Sequence, residues 1–272
     1  MMKSLSLLSL LVALFLLVLN ITGLIVPLRS PEIGSDYADF ARGNTPTYKE
    51  SIAQLQQLSN RAEPTLAFFT EATRVFHYGI AHIPPGDIDV KGLAHYRMQV
   101  PPWENYILYA LSYIDPKTFM DYEFCSYFKA LKRATGRCGQ QSMALADYLD
   151  EQGITTGYVS LGGHALAAAQ TSDGDWVILD PDYGGVIPFD LKTAEANPES
   201  VIPYYWNPTP VVNNGLYKLF APEHNEFRQA PPESRQPTTC LMEKFAYIAK
   251  WLIPLALLAF AGLLAILARR KP

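Results

Sequence analysis

Two long apolar blocks, one at each end of the chain, constrain what this sequence can fold into more than any other feature. The run from Leu5 to about Leu28 (LSLLSLLVALFLLVLNITGLIVPL) carries no charged side chain, and about 20 such residues in a helix span the ~30 Å hydrocarbon core of a bilayer. The block from about Ala246 to Ala268 is uncharged except for Lys250 near its start, and it ends in Arg269-Arg270-Lys271. A cleaved signal peptide would show a shorter apolar stretch followed by a small-residue cleavage site. The first block is longer and has no such site, so residues 1–29 read as a retained signal anchor. A buried core helix is the alternative for the second block, but its length and basic stop favour a second span over 246–268.

Basic flanks set the expected orientation. Lys3 precedes the first span and Arg269, Arg270 and Lys271 follow the second. Positive residues stay on the cytoplasmic side, which puts both termini in the cytoplasm and the middle of the chain in the periplasm or outside the cell. Arg29 and Lys244, on the other flanks, weaken this bias without reversing it. The expected address is therefore the cell (inner) membrane, with the lipid bilayer as a partner through both helices and a further membrane-complex partner left open. The 272 residues carry a net charge of −4 and no basic run, which argues against a nucleic-acid partner.

Between the spans the sequence reads as one domain with appendages. Thr45 or Thr47 offers an N-cap for a helix to about Asn60, and Pro64 opens a second towards Gly79, with Leu66, Phe69, Thr73, Phe76 and Ile80 at helical spacing. Ile83-Pro-Pro-Gly86 breaks the pattern. A helix from Pro102 to Ile114 would carry Trp103, Ile107, Leu111 and Ile114 on one face, and Pro116 would start an aromatic-rich helix to about Ala134. Cys138 to Glu151 reads as a helix stopped by Gly153. Thr155–Leu161, His164–Gln170 and Trp176–Asp180 each suit a strand, with turn residues Ser172-Asp-Gly-Asp175 between the last two. From Asn207 the prolines suit an exposed connection. The expected division is 30–115 mainly helical, 116–206 a core, and 207–245 a Pro-rich connection.

The chemistry lies in the core. At the first turn of a helix, unpaired amides and the positive end of the dipole favour a thiolate and can receive an oxyanion, so Cys138 is a candidate nucleophile. A buried structural thiol is the commoner use of such a residue. Cys125 and Cys240 could pair and leave Cys138 free, although spacing does not establish proximity. His164 opens one strand after Gly162-Gly163, and Asp180 ends the next. A hairpin turning at Ser172 to Gly174 would set them across from each other, within a one- or two-residue uncertainty, and a carboxylate there would hold the imidazole. Asp182 competes with Asp180 for that role on spacing alone. A thiol, an imidazole and a carboxylate so arranged perform nucleophilic acyl transfer. No metal site is expected: His77 and His82, five apart, are poorly spaced for joint ligation, and His95 and His224 lack ligand partners in a recognised pattern. No cofactor is implied.

Three blocks carry a family resemblance: Gly136-Arg-Cys-Gly-Gln-Gln-Ser-Met-Ala-Leu-Ala-Asp-Tyr-Leu149 with Gly153-Ile154, then Gly163-His164-Ala165, then Trp176-Val-Ile-Leu-Asp-Pro181. In this order and spacing, over roughly residues 115–190, they resemble the core of the transglutaminase-like superfamily, which includes transglutaminases, related cysteine peptidases and other acyl-transferring relatives. The resemblance implies an α+β, papain-like domain with a helical N-terminal part and an antiparallel sheet, here flanked by two transmembrane helices. It implies Cys138 as nucleophile, His164 as base and Asp180 as orienting acid, acting on a protein or peptide substrate through a thioester. Ala165-Leu166 stands where members often carry an Ala-Trp or similar pair, a departure on the substrate side. Trp103 is a candidate for the family's upstream aromatic oxyanion residue, although a packed Trp is the simpler reading. Gln140 and Gln141 could face the cleft or be helix-surface amides. Water as acceptor would make a peptidase or amidase, and an amine would make a cross-linking transferase. The alternative is a catalytically silent scaffold of the same fold in a membrane complex.

Overall fold

The computed structural model describes residues 2–31, 33, 45–83, 90–223, 225–230 and 236–269. The expected break at Pro84–Gly86, most of the polar juncture up to Asn44, and His224, Arg270 and Lys271 lie outside the described residues. In chain order the helices are α1 (Met2–Ile25), α2 (Tyr48–Ser59), α3 (Leu66–Gly79), α4 (Val90–His95), α5 (Pro102–Ile114), α6 (Pro116–Phe119), α7 (Tyr127–Arg133), α8 (Cys138–Glu151), α9 (Leu191–Ala196), α10 (Pro208–Asn213) and α11 (Pro237–Arg269). The strands are β1 (Ala81–His82), β2 (Thr135–Gly136), β3 (Thr156–Leu161), β4 (His164–Gln170), β5 (Trp176–Asp180), β6 (Gly185–Ile187) and β7 (Asn225–Gln229). The structure is mixed α+β with an antiparallel sheet.

The chain forms two compact units that do not follow the expected division. One gathers Met1–Leu28, Val90–Tyr122 and Thr238–Pro272; the other gathers Arg29–Asp89 and Glu123–Pro237.

 The second unit's first segment thus ends at Asp89, and the stretch Val90–Tyr122, expected to belong with the rest of a helical part, groups with the apolar helices instead.

In the first unit, α1 and α11 are each long and apolar enough to cross a membrane. Ser6 Oγ donates to Ala261 O at 2.8 Å and Asn20 Nδ2 to Lys250 O at 2.6 Å, an order of contacts that makes the two helices antiparallel. Polar groups gather on the inner side of α5. Tyr247 OH donates to Glu104 Oε1 at 2.7 Å, Lys250 Nζ to Glu104 O at 2.6 Å, and Tyr106 OH to Lys250 O at 3.1 Å. The apolar face expected for α5 is not its core face. Its buried residues are Glu104, Asn105, Leu108 and Ser112, while Ile114 is 77% exposed. The helix is also broken at Asn105, whose Oδ1 accepts from the backbone N–H of Ile107 and Leu108 and so caps the part that follows.

In the second unit, Thr47 is the residue that starts α2. It forms a capping box with Glu50, with Thr47 N donating to Glu50 Oε2 at 2.7 Å and Glu50 N to Thr47 Oγ1 at 3.3 Å. Thr65 caps α3 through the Phe68 N–H. The single aromatic helix expected over 116–134 is instead α6 and α7, with non-helical backbone at 120–126. The reason is tertiary: both backbone polar groups of Phe124 are taken by the Gln140 side chain, and Tyr127 N restarts the helix on Asp147 Oδ2 at 2.8 Å.

The five-stranded antiparallel sheet runs β6-β5-β4-β3-β7. Alternation along β4 and β5 sends Ala167, Ala169, Val177 and Leu179 to the face covered by α2, α3, α7 and α8, and Leu166, Ala168 and Ile178 to the other. That second face is covered by residues 201–220, including the part from Asn207 onward expected to be an exposed Pro-rich connection. Val201, Tyr205, Val211, Leu216 and Phe220 are all buried against it, and β7 then adds an edge strand on β3. Prolines do not exclude packed structure here: Pro208, within that connection, sits in the first turn of α10, where a missing N–H costs nothing.

Candidate active site

The site grows from the first turn of α8, which three consecutive polar residues pin from behind. Gln140 Oε1 accepts from Phe124 N at 2.6 Å and Arg133 Nη2 at 2.7 Å, and its Nε2 donates to Phe124 O at 2.8 Å. Gln141 Nε2 donates to Ile80 O at 3.1 Å, and Ser142 Oγ to Ala165 O at 2.8 Å. Both glutamines are fully buried, so they are neither helix-surface amides nor groups free to receive substrate. Gly136 permits the close approach, since a Cβ there would stand 2.6 Å from the Gln140 side chain. Cys138, at the first helical position, is partly exposed and is the free thiol; Cys125 and Cys240 are in disulfide form. Its predecessor Arg137 supplies no side-chain cap, which leaves the first-turn amides facing the sulfur's surroundings.

His164 stands at the head of β4 after a turn whose two glycines take φ of +54° and +125°, conformations that side chains with a Cβ rarely adopt. Its Nε2 lies 3.0 Å from Asp180 Oδ2, and a ring nitrogen lies within 4.8 Å of the Cys138 Sγ. The hairpin register is two residues away from the expected one. Ala167 pairs with Leu179 and Ala168 with Ile178, because the turn closes as a loop from Thr171 to Asp175. Asp180 therefore reaches His164 on the diagonal rather than from directly opposite. A two-residue shift keeps every side chain on its face, and diagonal neighbours remain within reach of long side chains.

Asp180 is fully buried and takes four donors. Oδ2 accepts from His164 and from Tyr205 OH at 3.0 Å, and Oδ1 accepts from the backbone N–H of Asp182 at 2.9 Å and Tyr183 at 3.0 Å. Four donors on one carboxyl is the full acceptor capacity of a carboxylate. Burial alone would push the His164 imidazole down, but the Asp180 charge and hydrogen bond, with Cys138 and Asp182 adding to them, hold it well above its ordinary value. Burial and the Asp180 charge raise the Tyr205 phenol, which keeps it a donor. Tyr205→Phe removes that donor from a buried charged acceptor. We expect it to lower the unfolding free energy by about 1.5–3 kcal/mol, read from the urea midpoint at unchanged m-value.

The structure resolves the two acids. Asp180 holds the His164 Nε2 side, while Asp182 Oδ2 is 3.9 Å from Nδ1 on the other side of the ring. Asp182 also meets a residue set aside in the sequence. His82 Nδ1 lies 2.7 Å from Asp182 Oδ1, at ion-pair distance but not aligned as a hydrogen bond. The parallel β1–β2 pairing, with His82 beside Gly136, carries it there. His77 donates from Nδ1 to Pro181 O at 2.9 Å and so steadies the turn between the two acids. Tyr205 and His82 had no signal in the sequence: each comes from a segment far along the chain and matches no spacing rule. Trp103 belongs to the first unit, where the Arg97 guanidinium lies 5.1 Å over its ring. No family model, curated protein or solved structure matches this chain.

Proposed function

We propose that the protein is a membrane-anchored thiol acyl-transfer enzyme of the transglutaminase-like kind, acting on a protein or peptide amide outside the cytoplasm. One observation carries the reading: the buried His164 ring is held by Asp180 through Nε2 and has a ring nitrogen within 4.8 Å of the Cys138 sulfur. Two imidazole nitrogens with one acceptor and one thiol is the arrangement that general-base activation of a nucleophile requires.

In this reading the Cys138 proton passes to His164 Nδ1, and Sγ attacks the carbonyl carbon. The C–S bond forms as the carbonyl π pair moves to oxygen, where the first-turn amides of α8 receive it. Collapse of this intermediate breaks the C–N bond, and the departing amine takes the Nδ1 proton. Water or a second amine then gives a proton to Nδ1, attacks the thioester, and releases Sγ, which takes its proton back. Asp180 keeps Nε2–H in place throughout, so Nδ1 is always the working nitrogen. The antiparallel pair α1 and α11 supports anchoring, and the basic residues at Lys3 and Arg269 support cytoplasmic termini.

The test uses the full chain in detergent, because Val90–Tyr122 groups with the apolar helices and excision of residues 30–243 would separate it from them. Incubation with glutamine-donor and peptide substrates should give product that Cys138→Ala and His164→Ala each abolish. Turnover that survives Cys138→Ala would sink the proposal. The pH profile carries a further expectation, measured with chelator present. His164 has a raised pKa in the folded protein, so its imidazolium survives above the ordinary value near 6.5, and, because the base must be neutral to take the thiol proton, the acid limb of kcat/KM should lie above that value. The same shift contributes stability that is fully present below about pH 6.5 and is lost as pH rises through the folded value. Asp180→Asn should move the acid limb to lower pH.

A further inference from the structure

Asp182 has no part in the acyl chemistry above, yet it is buried beside the nucleophile. Cys138 Sγ, a His164 ring nitrogen and an Asp182 carboxylate oxygen all lie within 4.8 Å of one another. The Asp180 bond occupies Nε2, which leaves Nδ1 as the nitrogen that faces the other two. We propose that these three atoms form a binding site for a thiophilic divalent transition metal, zinc being the reference ion, and that an ion bound there switches the thiol off.

Geometry and donor chemistry support this independently. Ligands about 2.0–2.3 Å from a tetrahedral zinc stand roughly 3.3–3.8 Å apart, and Nδ1 and Asp182 Oδ2 are already 3.9 Å apart. Small side-chain rotations close the remainder. One sulfur, one imidazole nitrogen and one carboxylate oxygen suit zinc or cobalt, whereas calcium and magnesium take oxygen sets.

The surroundings are those of a metal site as well. A ligating histidine donates its other N–H to a carboxylate that is itself held. His164 does this to Asp180, which Tyr205 and two backbone amides fix in turn. The second oxygen of Asp182 is met by His82 Nδ1 at 2.7 Å. Partial exposure of Cys138 leaves a path for the ion and a fourth position for water. With a thiol and a neutral imidazole as the starting pair, the ion takes a sulfur lone pair and the Nδ1 lone pair, and the thiol proton leaves. Sulfur bound this way cannot attack a carbonyl, and Nδ1 cannot carry a proton, so metal and acyl transfer exclude each other.

The switching role rests on the proposed thiol chemistry, while the binding itself does not. Metal-stripped full chain in detergent is titrated with cobalt and then zinc, and the iodoacetamide alkylation rate of Cys138 is followed alongside. One ion per chain should bind with a thiolate-to-cobalt charge-transfer band that zinc displaces. Zinc should slow alkylation at least about tenfold, with recovery on chelation. Asp182→Asn should weaken binding at least about tenfold, and Cys138→Ser, a near-isosteric change at a partly exposed position, should remove the band. Equal zinc affinity in Asp182→Asn, or alkylation indifferent to zinc, overturns the metal site. If the metal binds as described but the stripped protein turns over no amide substrate, the acyl reading fails and the metal site stands.

Discussion

Asp180→Asn should lower kcat/KM by about 10³–10⁴-fold, with most of the loss in kcat, by analogy with what removal of the orienting carboxylate does to other nucleophile–imidazole pairs. The substitution changes little in volume but inverts half of the hydrogen-bonding pattern. Asp180 faces donors on both oxygens: His164 and Tyr205 on one, and the Asp182 and Tyr183 amides on the other. An asparagine must turn its NH₂ towards one of these pairs and oppose donor to donor. If it turns towards the backbone amides, the turn through Pro181 loosens. If it turns towards His164, the imidazole loses the partner that keeps Nδ1 towards the sulfur. Steady-state kinetics with a parallel urea titration separate the two outcomes. Activity within tenfold of the parent at full stability would mean that Asp180 does not orient the base.

The second large effect is expected on stability. Among the described residues, Arg133 is the largest fully buried side chain. Its Nη2 donates to Gln140 Oε1 at 2.7 Å, its Nε donates to Thr135 O at 2.9 Å, and its guanidinium lies 4.8 Å over the Phe124 ring. Arg133→Ala should cost about 3–5 kcal/mol, since it opens a cavity and leaves buried acceptors without their donor. Arg133→Lys should recover only part of this, because an ammonium cannot reproduce the planar fork. The damage should reach the site, as Gln140 is one of the residues that pin the start of α8. Chemical denaturation measures the first effect. A fall in Cys138 alkylation rate below the unfolding transition measures the second. A loss under 1 kcal/mol would show that the pocket collapses around the alanine and that the brace is dispensable.

What could be read from the sequence is what lies close along it. The Cys138–Glu151 helix, the His164–Gln170 and Trp176–Asp180 strands and the Thr47 cap have local causes, and they stand where expected. His164 and Asp180 could be brought together because only one turn separates them. The two-residue error came from that turn, where turn residues mark a loop without fixing the number it spans. Apolar spacing along Pro102–Ile114 located the helix but not which side faces inward, since a stripe records only where the apolar residues are. Polar glutamines next to a nucleophile looked like surface or cleft groups, and their burial follows from partners at Ile80, Phe124 and Arg133 that no local pattern connects. His82 and Tyr205 reach the site by tertiary pairing alone. Asp182 was visible as a rival to Asp180, but its separate position beside Nδ1 was not.

The composition of the first unit has a consequence for the order in which the chain is made. Its three parts come from the beginning, the middle and the end of the sequence. The polar groups of Glu104 and Tyr106 find their partners on Tyr247 and Lys250, which leave the ribosome much later. A chain growing from its N-terminus at about 5–20 residues per second must leave Glu104 and Tyr106 without these partners while the whole β-sheet is synthesised. A chain that lacks the segment from Thr238 onward therefore cannot complete this unit, whatever the state of the β-sheet.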